Sequence, residues 1–327
     1  MNSAVTRALQ WPQGLLAQGE PDRQWTQLHP AFCELMQAHR LPPSMAQSYA
    51  SVVLHLAAWV MQQKAPHDSY VLGLNGAQGS GKSTLSAFLA LALTAIHHQR
   101  VAVISIDDLY QTRAEREQLA RDIHPLLVTR GVPGTHDIPL GMNLLRELMK
   151  AENTTLTPLP SFCKASDERR ARSDWRCFQG RPDIIVFEGW CVGTLPQDEC
   201  DLIEPINRLE REEDHDGHWR RYVNQQLQGS YATLFATLDG LILLQVPDMA
   251  RVIAWRTQQE KQLAVNTASA DQRLFDTPAL ERFIMHYERL TRHNLKEMPG
   301  RADITLKLND QHDFSAVDFR KPREKSH

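Results

Sequence analysis

The sequence predicts an α/β fold, a five-stranded parallel sheet flanked by helices, with a helical N-terminal extension. Three observations carry that prediction. Five short runs rich in Val, Ile and Leu recur along the 327 residues, helix-forming stretches separate them, and the first run ends in a glycine-rich loop. Near-continuous apolar runs suit strands covered on both faces, the condition of parallel sheets. Alternation with helices makes a doubly wound arrangement the economical one. Hydrophobic content is 42% and charged content 23%, ordinary for a chain that buries a full core.

In chain order, the first clear element is a helix over 46–63. Tyr49, Val52, Val53, Leu56, Trp59 and Val60 recur there with a period near 3.6. Residues 1–66 are expected to form the helical extension and 67–327 the main domain. Val71–Asn75 reads as a central strand. Gly76-Ala77-Gln78-Gly79-Ser80-Gly81-Lys82-Ser83 follows, and then a helix from about Thr84 to His97. The second strand is Val101–Ile106 and the third Asp183–Phe187. Roughly 75 residues lie between them, far more than a crossover helix needs. This insertion, about 109–180, is where a second substrate is expected. After it come a charged stretch, a helix carrying Trp219, Val223, Leu227, Tyr231 and Leu234, a fourth strand Leu241–Val246, and a fifth Ile304–Leu308.

The loop at 76–83 fits the phosphate-binding pattern G-x-x-x-x-G-K-[ST] in a strand-to-helix context. Glycines let backbone N–H groups converge on one concavity, which opens onto a helix N-terminus where an anion is favoured. Lys82 supplies a point charge for terminal phosphates, and the Ser83 hydroxyl can join a Mg²⁺ shell. The motif, Gly76 through Thr84, therefore predicts an enzyme that uses ATP or a similar nucleotide.

In an open parallel sheet, ligands gather at the carboxyl ends of strands. Asp107-Asp108-Leu109-Tyr110 follows the second strand and Glu188-Gly189-Trp190 the third. Asp107 is assigned to orient an acceptor hydroxyl and take its proton, Glu188 to hold Mg²⁺, and Asp108 is the reserve for either task. After the fourth strand, Arg251, Arg256 and Lys261 could close over the transferring phosphate, with Arg256 preferred. In the insertion, Arg130 and His136 flank a Pro133-Gly134 turn that suits type II geometry, and Asp137 can cap the next helix. Lys164 adds another cation in a loop, and these groups suit a small anionic acceptor. The stretch Asn309–His312, after the fifth strand, is the expected neighbourhood of the adenine.

Taken in this order, the motifs resemble the D-glycerate 3-kinase family of P-loop kinases. The resemblance spans roughly 70–310 and rests on Gly76–Ser83, Ser105-Ile106-Asp107-Asp108-Leu109-Tyr110, Arg130-Gly131-Val132-Pro133-Gly134-Thr135-His136-Asp137 and Glu188-Gly189-Trp190-Cys191-Val192-Gly193. It implies ATP and Mg²⁺ as cofactors, a hydroxyl of glycerate or a similar hydroxy acid as acceptor, and Asp107 as the base. Tyr110 falls in the same motif and is expected at the acceptor. Kinship with uridine, pantothenate and phosphoribulose kinases implies a strand order 2-3-1-4-5. One segment departs. Where the family usually has Tyr-Asp-Lys-Ser and a Gly-Asp-Arg run, this chain has Phe162-Cys163-Lys164-Ala165-Ser166 and then Asp167-Glu168-Arg169-Arg170. The departure bears on the acceptor rather than on the transfer chemistry. A nucleoside or pantothenate-like acceptor, or a regulator that binds nucleotide without transferring it, are the alternatives.

Other classes are disfavoured. With 36 Lys+Arg against 39 Asp+Glu, the net charge of −3 points to no nucleic-acid partner. No Asn-Lys-x-Asp guanine motif and no Leu-Ser-Gly-Gly-Gln transporter signature occur. Met1–Gln10 shows no secretory pattern, and no apolar run reaches the ~18–20 residues of a membrane span. Five cysteines without a C-x-x-C pair fit reduced thiols in a cytoplasmic protein. No exposed apolar seam marks an oligomer interface.

Overall fold

The computed structural model describes residues 9–17, 20–266 and 277–320, the side chains of 21, 260–266 and 277 excepted. Two helices, α1 (Glu20–Ala38) and α2 (Ala46–Gln63), precede the sheet. They pack on α3 (Lys82–Ala95), with Phe88 as the common centre: its ring lies 4.6 Å from Phe32 and 5.4 Å from Tyr49. The helix α1 falls within the helical extension expected over 1–66, but the sequence pattern does not delimit it. Leu28, Phe32 and Met36 bury one stripe at helical spacing, but Pro30 within it reads as a breaker.

The central sheet contains β1 (Tyr70–Gly76), β2 (Val101–Ser105), β7 (Ile184–Gly189), β8 (Gly240–Gln245), β9 (Ile304–Leu308) and β10 (Phe314–Phe319). The insertion holds four short strands, β3 (Leu156–Pro158), β4 (Phe162–Cys163), β5 (Glu168–Arg169) and β6 (Cys177–Gln179), in two antiparallel pairs, β3 with β6 and β4 with β5. The five parallel strands follow the expected order 2-3-1-4-5. A sixth strand, β10, extends the far edge antiparallel to β9, so the sheet has six strands, not five. The reason is legible in hindsight. Only Phe314 and Val317 of β10 are buried, so this edge strand lacks the continuous apolar run of its neighbours.

The remaining helices are α4 (Arg113–Asp122) and α5 (Ile138–Lys150) in the insertion, then α6 (Arg208–Glu213), α7 (His218–Gln228), α8 (Ser230–Phe235), α9 (Met249–Asn266) and α10 (Thr277–Glu297). The single helix expected around Trp219–Leu234 is two. Gly229, with φ −100° and ψ −107°, breaks it and lets Tyr231 turn inward, fully buried. Among the described residues no helix is long and apolar enough to cross a membrane, and all five cysteines are free thiols.

Sheet register aligns the functional ends. Leu74 of β1 pairs with Glu188 of β7, and Ser105 of β2 pairs with the same Glu188. The loop after β1, the carboxylate ending β7 and the aspartates after β2 therefore emerge on one edge.

Candidate active site

The loop between β1 and α3 is held open by its glycines. Gly79 and Gly81 have φ of +76° and +89°, in the left-handed region that favours glycine. A Cβ at Gly79 would also stand 3.2–3.3 Å from Trp255 and the Arg256 backbone, so the loop packs tightly under α9. Gly81 is the N-cap of α3 and offers no side chain to the first-turn amides, which leaves them for an anion. The helix begins at Lys82 rather than near Thr84, so the lysine and Ser83 belong to its first turn. Ala77, Gln78 and Ser80 complete the loop, and the buried Gln78 Oε1 and Ser80 Oγ have no partner among the described residues. The Thr84 hydroxyl lies 3.3 Å from His39 Nδ1.

Ser83 donates its hydroxyl to Glu188 Oε1 at 2.8 Å, and Glu188 is buried with Oε2 unpartnered. A hydroxyl and a buried carboxylate with an idle oxygen form a donor set that a hard divalent cation satisfies. These residues fit Mg²⁺.

Asp107 holds its carboxylate between two donors. Tyr110 Oη donates to Oδ1 at 3.0 Å and Lys164 Nζ to Oδ2 at 2.6 Å. Burial alone would raise this carboxyl, but the charges of Lys164 and Lys82 outweigh it and hold Asp107 well below the usual carboxylate range. The same pairing raises Lys164, whose side chain is 62% exposed. Lys82 thus acts on the group expected to be the base, which brings the loop and the second strand's acid to one site.

Several residues expected at the acceptor have internal partners instead. Asp108 accepts the Phe162 N–H at 3.0 Å and anchors β4; burial pushes its carboxyl up. Tyr110 lies beneath Asp107, 2% exposed, its ring stacked on His136 at 4.5 Å. Burial and the adjacent Asp107 push its hydroxyl well above its usual pKa, so it remains a donor. Arg130 pairs with Asp167 and places its guanidinium 5.8 Å from the Phe162 ring and 5.9 Å from Phe283. Arg169 binds the Tyr110 carbonyl and Asp137, which itself caps α5 as expected. Arg256 places its guanidinium 5.9 Å from the same Phe283 ring and 3.3 Å from Gln259. Arg251 pairs with Asp310 at 2.9 Å, while the Lys261 side chain lies outside the described residues.

The turn before His136 has the expected form. Thr135 N–H reaches the Val132 carbonyl at 3.1 Å, and Gly134, at φ +102°, occupies the position where type II turns need glycine. His136 Nδ1 lies 2.6 Å from the Tyr231 hydroxyl, which also accepts the Gly134 N–H. Among the described residues the Tyr231 hydrogen has no acceptor other than Nδ1, so Nε2 carries the ring proton, and it has no partner. Burial, only partly offset by Asp107, lowers His136 to about 3. Burial likewise lowers His286 to about 4. The unfolded chain takes up protons below the ordinary value of 6.5 that these native rings refuse. Stability is therefore expected to fall as pH drops from about 6.5 towards 4, by roughly 1.4 kcal/mol per pH unit for each ring. Urea unfolding at pH 7 and pH 5 checks the slope, and unchanged native His136 ring shifts over that range check its cause.

Sequence reasoning missed four supports. Asn75 donates to the Trp190 and Val192 carbonyls, Trp190 Nε1 to the Gly131 carbonyl at 3.1 Å, and Tyr287 to the Arg130 carbonyl at 3.0 Å. Arg116, wholly buried, binds Asp167 from the side opposite Arg130. Only the proximity of Asn75 and Trp190 to the motifs signals them. Near the loop, His312 Nε2 donates to the Ser80 carbonyl at 2.9 Å and stacks on Trp255 at 3.9 Å.

Glycine-rich loop, first-turn lysine and serine, and strand-end carboxylates on a 2-3-1-4-5 sheet define a P-loop kinase. The comparisons agree. The chain is 32% identical over 233 residues to the uncharacterised kinase mug58 of Schizosaccharomyces pombe, covering 69% of this chain and 81% of that one. It is 29% identical over 265 residues to the chloroplastic D-glycerate 3-kinase of Arabidopsis thaliana, covering 74% of this chain and 55% of that protein. In fold it matches the D-glycerate 3-kinase of Cryptococcus neoformans var. grubii with a TM-score of 0.67 at 24% identity, over 82% of this chain and 99% of that one. No family model matches. The chain belongs to one family of P-loop kinases with mug58 and is similar to the D-glycerate 3-kinases.

Proposed function

We propose that the protein transfers the γ-phosphate of ATP to a hydroxyl of D-glycerate or a similar small hydroxy acid. The observation that carries this reading is the Asp107 carboxylate, held by Tyr110 and Lys164 within the field of Lys82. In a loose phosphoryl-transfer transition state the acceptor proton leaves late, so a base of low pKa is adequate if it aims the hydroxyl. Asp107 does the aiming, and Lys82 and Arg256 meet charge on the transferring group. The loop amides hold the phosphates, with the Trp255–His312 stack bordering the adenine side. Ser83 and Glu188 would hold Mg²⁺, which when bound neutralises charge on the terminal phosphates. An acid's carboxylate is met by Lys164, freed from Asp107 as the hydroxyl arrives, and by the idle Nε2–H of His136. The acceptor cleft lies between the β7 end and the insertion, roughly 109–180. Free thiols support a reducing compartment such as the cytoplasm.

A coupled assay with ATP and Mg²⁺ across hydroxy acids, nucleosides and pantothenate tests the acceptor. ADP release is expected with D-glycerate or a near analogue and not with nucleosides. ADP release only with a nucleoside or pantothenate would overturn the hydroxy-acid reading, and none with any acceptor would favour a regulator.

A further inference from the structure

Behind Asp108 lies a second cavity, of about 260 Å³, between the edge strand β2 and the insertion. None of Lys82, Asp107, Lys164 or Glu188 lines it. Ile104, Leu109, Leu144 and Leu159 form an apolar patch on its otherwise mainly polar wall, with Val103 left 38% exposed on β2. Arg170 and Arg176 stand at its rim, both exposed, and neither makes an ion pair or side-chain hydrogen bond among the described residues. Asp174 completes the rim and is held by the Ser173 hydroxyl at 3.2 Å. A concave chamber that sets an apolar patch beside two uncommitted guanidinium groups can hold a small ligand with one apolar end and one anionic end.

We propose that this cavity binds a small organic monoanion, an apolar body inside and its carboxylate on Arg170 and Arg176. Guanidinium groups recognise carboxylates by charge-assisted hydrogen bonds. A single negative charge fits better than a phosphate dianion, because Asp108 and Asp174 also face the chamber.

The site is wired to the cleft. Asp108 adjoins Asp107 and accepts the Phe162 N–H; Phe162 opens β4, and Lys164, just beyond it, holds Asp107. Arg170 N–H is tied to the Ser161 carbonyl at 2.9 Å, so a ligand drawing on Arg170 pulls the same segment. Occupancy therefore shifts the Lys164–Asp107 pair and the KM for the acceptor. This consequence rests on the proposed kinase function; the binding itself does not.

Calorimetric titration of the full chain with phenylacetate tests the site, with phenylacetamide and phenyl phosphate as comparison probes. One site is expected, with affinity at least about tenfold weaker for the neutral amide, weaker for phenyl phosphate, and about tenfold weaker in the Arg170→Ala/Arg176→Ala double variant, in line with hydrogen bonds to charged groups. Val103→Trp, filling the chamber from an exposed position, should abolish binding. The double variant should keep its basal turnover but lose the effect of phenylacetate on acceptor KM. No binding to the unaltered protein, equal binding by the double variant, or displacement by ATP or D-glycerate would overturn the proposal. If binding holds but KM does not move, the coupling is wrong. If no hydroxy acid is phosphorylated, the titration still reads the site by itself.

Discussion

Asp107→Asn is expected to lower kcat by about 10²–10⁴-fold, the range spanned by general acid–base groups. The amide has the size of the carboxylate, and the Tyr110 hydroxyl can still donate to its oxygen. What is lost is the acceptor for the proton and the counter-charge of Lys164, whose Nζ stands 2.6 Å away. Nucleotide affinity should be largely retained, because the loop proposed to grip phosphate would do so through main-chain amides after β1, and it shares no hydrogen bond with Asp107. Turnover in a coupled assay and nucleotide Kd by calorimetry separate the two effects. A variant with nearly normal kcat would remove Asp107 from the chemistry.

Arg116→Ala is expected to cost about 1.5–3 kcal/mol of stability, the usual worth of a hydrogen bond made by a charged group, because its buried guanidinium serves three carbonyls. The side chain is 0% exposed, pairs with Asp167 Oδ2 at 2.9 Å, and donates to the carbonyls of Gln111, Val128 and Asp167 at 3.2, 2.6 and 2.9 Å. Its loss leaves those oxygens without a donor and Asp167 held by Arg130 alone. Asp167 forms part of the turn between β4 and β5, at φ +56°, so the two arginines clamp the hairpin that carries Lys164. Acceptor KM should rise along with the loss of urea midpoint. A normal midpoint, or a lowered midpoint with an unchanged KM, would separate this clamp from the site.

What could be read beforehand followed from chemistry with fixed offsets. A phosphate loop must join a strand to a helix, so Gly76–Ser83 named both elements and their sheet position. Asp107 and Glu188 were legible because parallel strands deliver their next residues to that same edge. The partners of those residues were not legible. Tyr110 was expected at the substrate, yet its hydroxyl serves Asp107, a choice made by the stacking of His136 beneath it. Arg130 looked like an acceptor cation because nothing local announces Asp167, 37 positions on. Arg116 was invisible for the same reason, an exposed-looking arginine in a charged helix that tertiary contacts bury. Edge strand β10 escaped, and the bounds of helix α1 with it, because half-exposed alternation and an interior proline blur the periodicity that the central elements show plainly.

The most direct test is a crystal structure with a non-hydrolysable ATP analogue, Mg²⁺ and D-glycerate. The acceptor hydroxyl should lie within hydrogen-bond distance of Asp107 and in line with the γ-phosphate, with that phosphate on the amides of the 76–83 loop. A glycerate hydroxyl bound away from Asp107, or phosphates held elsewhere than the loop, would contradict the assignment.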